Sequence, residues 1–270
     1  MAPLIYYKYR QFDNRAFEIL LNRELWFATP GAMNDPLDCQ IPLDKILQAV
    51  INSSQDGELR NALVALRDWT VRHTSTNAPI RLNDSVNDLI RGSGVLTLSK
   101  CATEALMWSH YGGGHKGICI GFAASFFDGL LKDHKTYGLV GAQDVEYAPV
   151  PLFQDFFEGN AMVLSRYSQQ EDQSILDKFR SDYIFELIVA SLLTKSARWS
   201  YEEEYRVVKS KPGSLKFPSA AVKEIIFGMK ATDRDVDTVR NILFSNDWRH
   251  VQYKRTKFQT RSFEMTLSDI

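Results

Sequence analysis

The sequence predicts an α+β fold, a mostly antiparallel twisted sheet or pair of sheets with helices packed on it. Three features lead there. Short apolar runs, Val95–Ser99, Gly117–Phe122, Tyr205–Val208 and Glu224–Phe227, read as core strands. Longer stretches with apolar residues at three- and four-residue steps read as amphipathic helices. The two kinds interleave at irregular intervals, and no βα unit repeats, which argues against a doubly wound parallel sheet.

In order along the chain, Leu4–Tyr9 is a short aromatic strand, and Ala16–Leu25 a helix with Phe17, Leu20 and Leu21 on one face. Leu25–Ala28 is extended and runs into a polar loop, Thr29–Asp38, that contains two prolines. Leu43–Ile51 and Leu59–Thr70 are helical, separated and followed by polar connectors. In the strand Val95–Ser99 the two-residue period puts Thr97 and Ser99 on one face. Thr103–Tyr111 supplies a helical turn or two, and three glycines then lead into Gly117–Phe122. Val145–Tyr147 is weakly extended, and 148–170 reads as a surface insertion. Gln173–Thr194 has helical spacing at Leu176, Phe179, Tyr183, Leu187 and Ser191. Thr232–Phe244 is a helix opened by the capping pair Thr232 and Asp235. Val251–Arg255 and Ser262–Leu267 are late strands. One domain over residues 1–270 is expected, with helical insertions at about 43–92 and 148–196.

The chain has 270 residues, 44% hydrophobic and 24% charged, enough to bury a sizeable core. Its formal charge of −1 supplies no global basic field for a nucleic-acid duplex, so any such contact would be local. Cys39, Cys101 and Cys119 are odd in number and form no CxxC pair, which fits a reducing cytoplasm better than a disulfide framework. The opening MAPLIYYKYR lacks the apolar core of a secretory signal, and no apolar run approaches the length of a membrane span.

Polar chemistry gathers in four segments. In Trp199–Arg206, an extended chain would put Glu202, Glu204 and Arg206 on one face and Tyr201, Glu203 and Tyr205 on the other. Neighbouring carboxylates repel, which suits either a solvated edge strand or a site that separates acid from base. Met107–Gly117 concentrates Trp108, His110 and Tyr111 before flexible glycines and Lys116. It matches neither a Walker A loop nor a dinucleotide fingerprint, and it also reads as a glycine-capped helix end with Trp108 in the core. Asn34–Asp38 has the composition of a turn, and Asp35 and Asp38 fall short of a divalent-cation ligand set, so no metal is expected. In Tyr7–Arg10, alternation puts Tyr7 and Tyr9 on one face and Lys8 and Arg10 on the other. Arg10 there is either a phosphate grip or a surface cation.

Taken together, YKYR, LWFATPGAMNDPLD, LTLSK, MWSHYGGGHKGICIGF and the late K-x-x-x-W-x-Y-E-x-E-Y-R of Lys195–Arg206 resemble a bacterial family known as domain of unknown function 2971. The resemblance runs from about Ile5 to Gly228, and WSHY followed by HKGICIGF is its most specific part.

A strand bearing Arg, then a T-x-S strand, then an E-x-E strand is also similar to ADP-ribosyltransferases, which bind NAD in a cleft between two small sheets. That resemblance implies a split-sheet form of the fold, with Arg10 on an NAD phosphate and Thr97 and Ser99 propping the pocket. Glu204 would bond the nicotinamide ribose, and Glu202 would orient or deprotonate the acceptor. Tyr7, Trp108 and Tyr111 would line the NAD site, Trp108 or Tyr111 stacking on nicotinamide, and His110 stands as an alternative to Arg10. The resemblance departs from the pattern in two ways. About a hundred residues separate Ser99 from Glu202, and Cys101 stands near the place of the third Ser/Thr.

The expected activity is therefore NAD-consuming ADP-ribosyl transfer to a protein or nucleic-acid acceptor, as in a toxin or a phage-defence effector. The competing expectations are a nuclease or phosphotransfer enzyme built on His110, His115, Lys116 and the glutamates, and a non-catalytic ligand-binding module. On the transferase reading, Glu204→Gln should spare folding while removing the charge that catalysis needs.

Overall fold

The computed structural model describes residues 4–39, 43–72, 82–148, 157, 159–160, 185–259, 261–262 and 264–270. The chain divides into two compact units. One comprises Met1–Ala28, Gly94–Val145 and Arg198–Ile270; the other comprises Thr29–Ser93 and Glu146–Ala197 and so takes in the two stretches expected as insertions.

The strands in chain order are β1 (Ile5–Arg10), β2 (Glu24–Phe27), β3 (Gly94–Ser99), β4 (Ile118–Ala123), β5 (Leu139–Asp144), β6 (Glu146–Ala148), β7 (Thr194–Ser196), β8 (Glu204–Lys209), β9 (Gly213–Lys216), β10 (Val222–Phe227), β11 (Gln252–Phe258) and β12 (Met265–Asp269). In the first unit, eight of them form one sheet in the order β12-β11-β10-β4-β1-β3-β8-β5. Every neighbouring pair in that sheet is antiparallel except β10 and β11. β2 and β9 form a separate antiparallel pair. The α+β expectation holds, and Val95–Ser99, Gly117–Phe122 and Tyr205–Val208 contribute to three strands of this one sheet.

The sheet has two unlike faces. Side chains alternate along each strand, and one face presents Tyr6, Leu96, Leu98, Ile118, Ile120, Phe122, Tyr205, Val207, Ile225 and Phe227 to a large apolar core. Helices Asn14–Asn22, Ala124–Lys132 and Asp233–Ile242 supply Ile19, Leu20, Phe127, Leu130, Val236 and Val239 to the same core. Their ends are set locally. The Asp13 carboxylate accepts from the Ala16 amide at 2.9 Å, and Thr232 and Asp235 form the expected reciprocal capping box. The opposite face carries a smaller cluster of Tyr9, Trp108, Cys119, Ile226 and Met265. Buried Ser99, Glu204, Arg206 and Glu224 share that face by strand register.

The second unit contains helices Leu43–Ser53, Gly57–Arg72, Leu82–Gly92 and Phe185–Leu193 and the parallel pair of β6 and β7. The helix expected over Gln173–Thr194 is described from Phe185 and ends at Leu193, because Thr194 begins β7. Residues 173–184 of that expectation, and most of the insertion expected at 148–170, lie outside the described residues. Among the described residues no helix is long and apolar enough to cross a membrane.

Candidate functional site

The approach to β8 departs from the expected strand. Ala197–Glu202 is a 3₁₀ turn, and Glu203 takes a left-handed backbone conformation with φ 43°. A non-glycine residue rarely sits there, and it persists where its surroundings fix it. Here the Glu203 amide donates to Ser200 O at 3.2 Å, and Glu203 O accepts from the Lys100 amide at 2.9 Å. The strand therefore begins at Glu204. Glu202 does not alternate with Glu204 along one strand, as expected from spacing; it precedes the strand, on the turn. Both carboxylates are buried, whereas Glu203 is exposed.

Glu204 is held by its strand neighbour two residues on. Arg206 Nε donates to Oε1 at 2.7 Å and its terminal nitrogen to Oε2 at 3.1 Å. The pair is 4% and 0% exposed, so the bidentate geometry, rather than water, compensates the two charges. Gln at 204 would leave that guanidinium without its full countercharge, so the expectation that Glu204→Gln spares folding is revised: some destabilisation follows.

Register then places three expected site residues side by side. Ser99 of β3 is the partner of Glu204 on β8, and Tyr7 of β1 is the partner of Ser99. Direct cross-strand partners face the same side, so Tyr7, Ser99 and Glu204 form one transverse row. Thr97 lies opposite Arg206 on the same face. Ser99 Oγ accepts from the Cys101 amide and donates to Cys101 O, both at 3.1 Å, and so shapes the loop that leaves β3.

Between β1 and β3 the sheet opens. These strands share a single register pair, whereas β1 with β4 and β3 with β8 share six each. The two small sheets implied by the transferase resemblance are not formed here: β1 and β3 belong to one continuous eight-stranded sheet, in which their ladder is short. Lys8 fills the opening: Nζ donates to Thr97 O at 2.7 Å and to Thr97 Oγ1 at 3.1 Å. Burial, reinforced by Arg10 and opposed by Glu204 and Glu202, pushes the Lys8 amine down to about 7. Sequence reasoning named Lys8 only as a surface partner of Arg10. The missing ladder that gives it this role is a tertiary feature with no local signal.

Along the row on the other side of β1, Tyr7 Oη donates to Glu224 Oε1 at 2.9 Å, and Lys254 Nζ pairs with Glu224 Oε2. Gly121 lies between them in register. A Cβ at Gly121 would stand 2.8 Å from Glu224 Cγ and 3.3 Å from Tyr7 Cε1, which explains the glycine. Burial and the Glu224 carboxylate push the Tyr7 phenol up. Neither Glu224 nor Lys254 was singled out from the sequence, because a lone Glu in VKEIIF carries no motif.

The segment Trp108–Gly117 proves partly structural. Trp108 is fully buried, as expected; its Nε1 donates to Ala102 O at 2.9 Å, and its ring stands edge-on to Tyr9 at 5.2 Å. It forms part of the support under the site. Gly112 and Gly117 are close-approach positions, their absent Cβ atoms falling 2.6 Å from the Trp108 ring and 2.1 Å from Arg10 O. The amides of Gly112, His115, Lys116 and Gly117 donate to carbonyls of the same segment, so they do not form an anion cradle. His115 contacts Ser109 and Phe258.

Tyr111 and His110 do adjoin the acidic turn. Tyr111 Oη donates to Glu202 Oε1 at 2.6 Å. The exposed His110 ring lies 6.1, 6.4 and 6.3 Å from Tyr111, Trp199 and Tyr201. An aromatic group therefore stands beside Glu202, with Trp199 and Tyr201 added to the residues named from sequence. Arg10, by contrast, alternates onto the large-core face, opposite Ile118, and its electrostatic neighbours are Asp13, Arg15 and Glu18. The strand that was to supply an Arg to the row supplies Tyr7 instead. In the second unit, Asn34–Asp38 is a turn as expected, with the Asp35 carboxylate accepting from the Leu37 amide at 2.9 Å. Asp38 forms a buried ion pair with Lys195 at 3.4 Å.

The model of the family described as "Protein of unknown function (DUF2971)" matches this chain over a stretch that begins beside Trp108 and ends one residue beyond Arg206. Residues 107–207 match DUF2971. The expected family resemblance stands over that stretch, which holds Trp108, His110, Tyr111, Glu202, Glu204 and Arg206. Tyr7, Lys8, Thr97 and Ser99 lie before the DUF2971 match, and Glu224 and Lys254 after it. No curated protein and no solved structure matches the chain.

Proposed function

We propose that this protein is an NAD-dependent ADP-ribosyltransferase in which Glu204 is the catalytic carboxylate. The observation that carries the reading is the transverse row of Tyr7, Ser99 and Glu204 on adjacent central strands. Of the two acids of the E-x-E, Glu204 is the first residue of the strand, and Glu202 lies on the turn before it.

In the reaction, the bond between ribose C1′ and the nicotinamide nitrogen breaks. The electron pair leaves with neutral nicotinamide, C1′ gains positive character, and a nucleophile of the acceptor bonds to C1′. A carboxylate fixed before the reaction near C1′ stabilises the developing charge. Glu204 is fixed in this way by Arg206, which leaves little reorganisation to the reaction itself. Ser99 and Thr97 shape the wall beside it. The aromatic group of His110, Tyr111, Trp199 and Tyr201 offers stacking surface for a flat ring, adjacent to Glu202. The proposed acceptor is a protein or a nucleic acid, and the proposed setting is the cytoplasm.

The test is nicotinamide release from NAD by the purified protein, with and without candidate acceptors. Turnover should fall by roughly two to three decades in Glu204→Gln, measured below the variant's unfolding temperature. Glu202→Gln keeps the oxygen that accepts from Tyr111 and serves as a second, milder variant. A wild-type protein that neither binds nor consumes NAD would remove the proposal.

A further inference from the structure

NAD carries two flat rings, nicotinamide and adenine, and the aromatic group beside Glu202 offers a surface for one of them. The row that holds Glu204 offers a second. Across five neighbouring strands it runs Glu204, Ser99, Tyr7, Gly121, Glu224.

Tyr7 and Glu224 stand on strands two apart, a separation of about 10 Å at the usual strand spacing. Side chains of a strand ordinarily rise from the sheet, and two upright side chains that far apart do not meet. Yet Tyr7 Oη donates to Glu224 Oε1 at 2.9 Å. The two therefore lean towards each other across β4, where Gly121 is the residue between them. The place of its absent Cβ agrees, 3.3 Å from Tyr7 Cε1 and 2.8 Å from Glu224 Cγ. The Tyr7 ring thus reaches along the sheet over the glycine, and it is only half-buried.

The far end of this latch is closed. Glu224 is 2% exposed, and Lys254 of β11 pairs with its second oxygen. With both oxygens occupied, Glu224 acts on Tyr7 and not on a ligand. Lys254 keeps the carboxylate charged, and a charged acceptor makes the stronger hydrogen bond.

Distance decides which ring this surface serves. The strand of Tyr7 is also two spacings from that of Glu204, again about 10 Å, and the phenol points away from Glu204, towards β10. Nicotinamide is bonded directly to ribose C1′, so with C1′ at Glu204 it stays at the Glu204 end of the row. Adenine, at the other end of the dinucleotide, is not tied in this way.

We infer that Tyr7 is a stacking platform for the adenine of NAD, and that Glu224 and Lys254 are positioning residues that hold the ring down. The identity of the ligand rests on the transferase reading; the latch itself does not. Tyr7, Glu224 and Lys254 all lie outside the stretch matched by DUF2971.

Calorimetric titration of the full chain with ADP-ribose, which carries adenine, and with nicotinamide mononucleotide, which lacks it, tests this without turnover. Tyr7→Ala should weaken ADP-ribose binding roughly ten- to hundredfold, the effect of losing one base stacked on one aromatic ring. Tyr7→Phe keeps the ring but cuts the latch, and should weaken binding roughly three- to tenfold. Glu224→Leu should match Tyr7→Phe, whereas Glu224→Gln retains an accepting oxygen and should bind nearly as the wild type does. Nicotinamide mononucleotide should bind to all of them alike. Melting curves check that each variant is folded, and Tyr7→Phe, the mildest change, carries the test where another is not. In nicotinamide release, Tyr7→Ala should raise KM for NAD and spare kcat, the reverse of Glu204→Gln. Equal affinity of wild type and Tyr7→Ala for ADP-ribose, or equal losses for both ligands, would overturn the platform. Tyr7→Phe binding ADP-ribose as tightly as the wild type would overturn the positioning role. A wild type that binds ADP-ribose through Tyr7 but releases no nicotinamide removes the transferase reading and keeps the platform. One that releases nicotinamide but binds no ADP-ribose removes the platform alone.

Discussion

The two faces of the eight-stranded sheet are built on different principles. On one, Tyr6, Leu98, Ile120, Phe122, Ile225 and Phe227 meet three helices in an apolar core whose stabilisation is dispersion and removal of surface from water. On the other, a smaller apolar cluster shares space with buried Glu204, Arg206 and Glu224. Buried ion pairs of that kind contribute little net stability compared with apolar side chains of the same volume. Their value lies in fixed geometry and in the field they set up. The same strands thus hold the fold with one row of side chains and present chemistry with the alternate row.

The largest expected effects separate the two faces by kind rather than size. Phe122→Ala removes a fully buried ring and should cost about 3–5 kcal/mol. Arg206→Met strands the Glu204 carboxylate and should cost a similar amount, about 3–5 kcal/mol. Both appear as lower denaturant midpoints. At a temperature where both variants are folded, nicotinamide release should persist in Phe122→Ala and collapse in Arg206→Met. Equal activity in the two would break the comparison.

Gly121→Ala should have a smaller effect, about 1–3 kcal/mol, because its methyl group meets Glu224 Cγ at 2.8 Å and Ile5 Cγ2 at 3.0 Å. A variant as stable as the wild type would show that Tyr7 and Glu224 are free to part. The next effect is one of pH. Lys8 lies at about 7 in the fold and at 10.5 when unperturbed, so between those values the unfolded chain binds more protons. Stability should therefore rise as pH increases from about 7 towards 10.5, and Lys8→Met should lack that rise. Melting curves of the two proteins at pH 7 and pH 9 check the sign.

Much of the apolar face was legible in the sequence, and less of the polar one. Short apolar runs located β3, β4, β8 and β10, and the Thr232–Asp235 pair located its helix, because these signals are local. Ala124–Lys132, β5 and β9 were not anticipated. ASFFDGLLK follows a strand without a polar cap, its N-cap Ala123 making no side-chain hydrogen bond, and GSLK is too short to show a period. Glu202, Glu204, Ser99, Tyr7 and Tyr111 were expected as site residues from the transferase resemblance, and register brings Tyr7, Ser99 and Glu204 into one row. The strand expected through Glu202 failed because Glu203 turns left-handed, a conformation fixed by contacts with Lys100 and Ser200. Lys8 and Glu224 were passed over because their partners, Thr97 and Tyr7, lie 89 and 217 residues away.

The smallest expected effect is that of Glu203→Gln. Its side chain is exposed, and the change should alter stability by no more than about 0.5 kcal/mol and leave activity unchanged. That makes it the control for the most direct test of the central claim, which is nicotinamide release from NAD by the wild type, Glu203→Gln and Glu204→Gln side by side, with NAD binding measured on each. The account predicts equal turnover in the first two, a fall of roughly two to three decades in Glu204→Gln, and NAD affinity that changes far less, since the lost interaction belongs mainly to the transition state. Full activity in a folded Glu204→Gln, or a wild type that does not act on NAD, would contradict it.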